Sequence, residues 1–183
     1  MNLNQSSDHT VTPPCLTGPE TPSWYAVYTY PRQEKVVTRN LEQRSTEYFL
    51  PLYRSMRRWK DRNKELELVL FPGYVFVHAS REDRLRVLQT PGVVRMVTFN
   101  GQPAVLPDAE IEALRHGLEQ GIYAEPHPYL KIGRKARVLR GPLAGLEGIL
   151  LRKKDRLRFV ISLDVLMRSV AVELDAADLR PST

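Results

Sequence analysis

Apolar and polar positions alternate along this chain in two rhythms, one of period two and one near 3.6. WYAVYTY (24–30) is aromatic and β-favouring and predicts a first strand. Its alternation puts Trp24, Ala26, Tyr28 and Tyr30 on one face and Tyr25, Val27 and Thr29 on the other. Val27 is expected to face the core, so Tyr28 is expected to face the opposite way. Residues 31–45 project onto a helix, with Pro31 in its first turn and Val37 and Leu41 on one side. Arg32, Lys35, Arg39 and Gln43 form a stripe on the other side. Residues 48–71 read as a long β-hairpin with its tip near 60–64, and Pro51 argues for an edge.

In LVLFPGYVFVHA (68–79) a Pro-Gly pair interrupts an apolar run, marking a turn or bulge between two strands. Residues 81–90 predict a helix with Leu85 and Leu88 inward. Residues 93–99 predict a strand, and Asn100-Gly101 a turn. Residues 107–120 predict a helix with Ile111, Leu114 and Leu118 on one face. Strands and helices in this order imply an antiparallel sheet with helices packed on it, an α+β fold. Residues 121–131 lose periodicity and hold two prolines, as a linker would. From 132 onward, short strands recur about every ten residues, the pattern of a small β-barrel. The expected division is therefore a disordered tail (1–22), an N-terminal domain (23–120), a linker (121–131) and a barrel (132–183).

Charge sharpens this division. The chain has 183 residues and a net charge of +6, which suggests an anionic partner. Residues 31–64 carry a net +6 and residues 131–158 a net +8, so the remainder is acidic. Two directed basic surfaces are expected. Arg54, Arg57, Arg58, Lys60, Arg62 and Lys64 crowd the hairpin tip around Trp59. Basic and aromatic side chains together suit phosphate pairing and base stacking. Alternatively, these charges blunt a sheet edge and Trp59 packs on its own sheet. The single cysteine, Cys15, rules out a disulfide within the chain and fits a reducing cytosol. No apolar stretch approaches the ~20 residues of a membrane span. The four histidines lack ligand spacing, no Gly-rich phosphate cradle follows a strand, and carboxylate pairs lie only on ordinary helix faces. Neither an enzyme nor a cofactor is expected.

WYAVYT, the basic helix, LFPGYVFV, TPGVVRMV and GQPAVLPDAEIEAL together resemble the N-terminal domain of NusG-type transcription elongation factors. GRKARVLRGPLAGLEGILLRKKDRLRF resembles the KOW motif of the same family. The resemblance covers residues 24–180. Within the family, YFLPLYRSMRRWKDRNKELELVLFPGYVFV is closer to the specialised UpxY-like group and, more distantly, RfaH.

The resemblance implies an SH3-like C-terminal barrel and an antitermination role, on long operons in the specialised group. It implies binding to the clamp helices of the β′ subunit of RNA polymerase, with Tyr28, Phe71, Tyr74 and Val105 as candidate contacts. Large rigid aromatics suit such anchors, although some could instead fill the core. It implies that Arg32, Lys35 and Arg39, and the hairpin residues Arg57, Arg58, Trp59 and Lys60, reach non-template or upstream DNA. Leu143, Leu146, Val165 and Leu166 occupy barrel loops where relatives expose residues to a ribosomal protein or Rho. Barrel core is the alternative for these leucines, and Met167 stands where the family has glycine. Nascent RNA is a further partner implied for the basic ridge at 152–158. No membrane contact is expected, and the protein is expected to act as a monomer. RFVISLDV and SVAVEL are β-branched and alternating, so a stable barrel is expected and no helical hairpin. The rival reading is a KOW-type RNA-binding or ribosome-associated protein that never engages polymerase. Burial of Tyr28 and Phe71 would favour it.

Overall fold

The computed structural model describes residues 21–58, 63–130, 133–153 and 156–182. Its elements follow in the order β1 (Ser23–Thr29), α1 (Glu34–Gln43), β2 (Glu47–Phe49), β3 (Leu52–Arg58), β4 (Asn63–Val69), β5 (Tyr74–Ala79) and α2 (Asp83–Leu88). Next come β6 (Val93–Met96), β7 (Thr98–Phe99), β8 (Gln102–Pro103), β9 (Val105–Leu106) and α3 (Asp108–Glu119). The C-terminal part holds β10 (Ala124–His127), β11 (Arg134–Val138), β12 (Glu147–Lys153), β13 (Arg156–Leu163), β14 (Arg168–Glu173) and β15 (Leu179–Pro181). No helix among the described residues is long and apolar enough to cross a membrane.

The N-terminal sheet runs β2-β5-β1-β6, with β9 also pairing β1, and every pairing is antiparallel. β1 is central, and both of its faces are covered. Tyr25 and Val27 pack with Val37 and Leu41 of α1 and Val87 of α2. Trp24 and Ala26 pack with Phe76, Leu106 and the α3 residues Ile111 and Leu114. Arg115 fastens α3 to the sheet. Its guanidinium lies over the rings of Trp24 (4.9 Å) and Phe49 (5.3 Å) and donates to Glu47 Oε1 at 3.3 Å.

The expected long hairpin is cut in two. Glu47–Phe49 pair with β5 as β2, and after Pro51 the chain forms a separate β3–β4 ribbon. Proline offers no ladder donor, and the break falls there. In α2 the expected inward face is rotated. Leu85 is exposed, whereas Arg84 is fully buried and stacks 5.4 Å from the Tyr25 ring. There its guanidinium, withdrawn from water, is held over the aromatic face of Tyr25.

The C-terminal six-stranded antiparallel sheet runs β10-β14-β13-β12-β11-β15, the expected barrel strands. Part of the expected linker joins it, because residues 124–127 pair with Ser169–Val172 of β14 as β10. Pro126 is tolerated because β10 is an edge strand. The chain then crosses the sheet, where Leu130 donates its N–H to Ser169 Oγ and accepts from Ser162 Oγ.

The barrel docks on α3. Leu143 fills a notch at Gly117, where an added Cβ would sit 2.6 Å from Leu143 Cδ2. Barrel residues Leu143, Leu146 and Leu166 thereby share one continuous apolar cluster with Phe71, Phe76 and Ile111 of the N-terminal domain.

Candidate interaction surfaces

The FPG corner organises one end of the sheet. Tyr74 donates its N–H to Phe71 O at 3.0 Å, closing a four-residue turn with Pro72 and Gly73 inside. Gly73 has φ +84, the left-handed value that the third position of a type II turn requires. Tyr74 then pairs with Tyr28 across β5 and β1, with the rings edge-to-face at 5.4 Å. Arg95 lies over the Tyr28 ring at 5.6 Å. Tyr28 and Tyr74 are both half-buried, so each keeps part of its ring in solvent.

The four polymerase-contact candidates do not form one patch. Tyr28 and Tyr74 meet. Phe71, 1% exposed, lies in the core, where its ring meets Phe76 at 5.5 Å and 90°. Val105 is exposed but sits opposite Tyr25, and directly paired strand residues share a face. It therefore belongs to the sheet face opposite Tyr28. The Pro-Gly turn explains Phe71: it redirects the chain so that the ring points beneath the corner rather than outward.

The basic stripe is shorter than expected. Arg32 precedes α1, at φ +62, in a turn rather than on the helix. Lys35 and Arg39 remain on the helix, four residues apart and exposed. They line one wall of an open groove of about 690 Å³, with Phe49, Leu50 and Arg115 among its other lining residues. Lys35 pairs with Glu67 at 3.5 Å, both side chains at least half exposed, so the pair is worth little. Arg57 and Arg58 belong to β3, in register with Lys64 and Asn63. Trp59 and Lys60 lie outside the described residues.

The barrel-loop candidates are covered. Leu143, Leu146 and Leu166 are buried, and Val165 packs half-buried against the same cluster. Loop exposure and burial in the core are both open from the sequence for the leucines, and the structure buries them; Leu143 meets Gly117 and thus is covered from the N-terminal side. Within the basic ridge, Arg158 is committed to carboxylates, contacting Glu125 and Glu173. Lys154 lies outside the described residues.

The electrostatics of the docking face is unfavourable at one point. Glu110, in the first turn of α3, has its carboxyl pushed above the usual range by burial and secondarily by the negative charge of Asp164 on the barrel. Asp164 also accepts a hydrogen bond from Tyr129 Oη at 3.0 Å.

Sequence reasoning missed two structural residues beside the tyrosine pair, Glu34 and Arg95. A glutamate at the start of a predicted helix reads as a favourable dipole partner and draws no further notice. Arg95 reads as an ordinary outward strand residue.

Similarity to known proteins places this architecture. A sequence model of the family described as "Transcription termination factor nusG" matches residues 22–115, just over half of the chain. The NusG transcription termination/antitermination protein of Pseudomonas aeruginosa is 27% identical over 166 residues, covering 83% of this chain and 94% of that one. The protein of the same name from Staphylococcus epidermidis is 30% identical over 170 residues, covering 83% and 91%. A solved structure described as domain interaction in Thermotoga maritima NusG aligns with a TM-score of 0.53 at 24% identity. It covers 87% of this chain and 97% of that chain, a likeness of fold. With its sheet, its docked barrel and the match across 22–115, the chain belongs to the NusG family of transcription termination and antitermination factors.

Proposed function

We propose that this NusG-family protein is a specialised elongation factor that binds the β′ clamp helices of RNA polymerase through Tyr28 and Tyr74 and suppresses pausing or termination. The observation that carries this reading is the partly exposed edge-to-face tyrosine pair at one end of the sheet. Such a pair offers wide contact area from side chains already held in place, the character of an interface anchor. Phe71 supports the corner from below. Val105, on the opposite face, is left out of the contact. Binding across the polymerase cleft would act by stabilising one polymerase state over another, with no bond made or broken. Lys35 and Arg39, together with the β3–β4 hairpin, supply the positive charge that would follow non-template or upstream DNA. Leu143, Leu146, Val165 and Leu166 would serve a barrel partner only after the barrel leaves α3.

Capture of core RNA polymerase by the full chain tests the reading. The wild-type protein should retain polymerase, and a Tyr28→Ala/Tyr74→Ala variant with an unchanged fold should lose at least tenfold in affinity. Equal retention by the variant would overturn the contact. No retention by the wild-type chain, with RNA or ribosomes held instead, would favour a KOW-type RNA-binding or ribosome-associated role. The burial of Phe71 is the observation on that rival's side.

A further inference from the structure

Three turns converge where β1 ends. The Thr29 N–H donates to Gly73 O at 2.9 Å, the Tyr30 N–H donates to Gly92 O at 3.0 Å, and the Gln33 N–H closes onto Tyr30 O at 3.0 Å. Both Gly73 and Gly92 follow proline and have positive φ. Helix α1 holds both Pro-Gly corners from one side. Asn40 Nδ2 donates to Pro91 O at 3.1 Å, and the Gly73 N–H donates to Glu34 Oε1 at 2.7 Å.

The second of these bonds is unusual for its setting. Glu34 is only 6% exposed, and its carboxylate receives a main-chain donor 39 residues away. The peptide it grips is also the floor under Tyr28, since a Cβ on Gly73 would lie 3.1 Å from Tyr28 Cε2. Tyr74, whose ring meets Tyr28 edge-on, is the next residue. A turn of wrong height at Gly73 would therefore move both rings.

We propose that Glu34 is a positioning residue for the polymerase contact: by holding the Gly73 amide, it fixes the Tyr28–Tyr74 pair in its binding geometry. This rests on the reading of that pair as the polymerase anchor. A competing role for Glu34 is a charge placed in the first turn of α1 to complement the helix dipole. The two roles separate under Glu34→Gln. Glutamine keeps an oxygen that accepts the Gly73 N–H and gives up the charge.

The test compares full-length wild type, Glu34→Ala and Glu34→Gln by amide and aromatic NMR and by affinity for core RNA polymerase. In Glu34→Ala the Gly73 amide proton should move upfield, the Tyr28 and Tyr74 ring resonances should shift, and affinity should fall at least fivefold. Glu34→Gln should restore the ring resonances and affinity to within twofold of wild type. Unchanged ring resonances and affinity in Glu34→Ala would overturn the inference, as would a Glu34→Gln variant as impaired as Glu34→Ala. If Glu34→Ala does not fold, Glu34→Asp takes its place, because it pulls the carboxylate back by one methylene and should show the same shifts. Absence of polymerase binding by the wild-type chain would remove the proposed function, and the ring resonances would still decide the positioning role.

Discussion

Gly73 and Met167 occupy the same left-handed region of backbone space with opposite suitability. Gly73, at φ +84, leaves an added Cβ only a tight fit, 3.1 Å from Tyr28 Cε2. Gly73→Ala should cost about 1–3 kcal/mol from backbone strain, read as a lower denaturation midpoint. Met167, at φ +49 and exposed, carries a side chain in the same region. Met167→Gly relieves a left-handed penalty of about 1–2 kcal/mol but adds freedom to the unfolded chain, so a net gain of about 0.5 kcal/mol is expected. Urea denaturation of the pair should give shifts of opposite sign. The Pro-Gly corner was legible because glycine after proline announces a turn with positive φ at its third residue. The fate of Phe71 was not, because a turn's rotation decides whether the preceding ring points inward. Phe71→Ala should accordingly cost about 3–5 kcal/mol, which makes it a test of folding rather than of binding.

Helix α3 stands where periodicity puts it, and α1 begins at Glu34, after Pro31 rather than around it, with Val37, Leu41, Ile111 and Leu114 buried. Both present two or more aliphatic side chains one turn apart. Helix α2 differs in phase from the periodic expectation, with Arg84 and Val87 inward and Leu85 exposed. Its six residues offer too little pattern, and Arg84 occupies the inner face because Tyr25 supplies a ring for its guanidinium. Arg84→Ala should destabilise by about 2 kcal/mol through the lost desolvated cation–ring contact, measurable by thermal melting. Strand β10 was hidden for a different reason. Ala-Glu-Pro-His has no strand rhythm of its own, and it pairs because β14 presents an open edge to it.

The docked arrangement joins two cores that the sequence pattern presents separately. Periodicity reports which face of an element is apolar and is silent on which domain covers it, so Leu143 read equally as loop contact or as core. Gly117→Leu should fill the notch and push the barrel from α3 while leaving both sheets intact. The expected sign is a larger radius of gyration in X-ray scattering with unchanged strand content. Glu110 gives the docking a pH dependence. Its folded carboxyl titrates above the ordinary value of 4.5. Ionisation therefore opposes the folded, docked state at neutral pH, and the penalty disappears as pH falls below that ordinary value. Glu110→Gln should raise the melting temperature at pH 7, with the difference fading toward pH 4.

The seat of Leu143 at Gly117 also sets the terms on which any barrel partner is met. A ligand that needs Leu143 sees only the molecules whose barrel is off α3, so its apparent dissociation constant is its intrinsic one divided by the open fraction. With one molecule in about a hundred open, binding weakens about a hundredfold. A partner tethered nearby would recover that loss through local concentration, whereas a freely diffusing one would not. For a partner that needs Leu143, the notch would thus act as a filter on supply, favouring partners delivered close to the protein over equally adhesive ones in bulk solution.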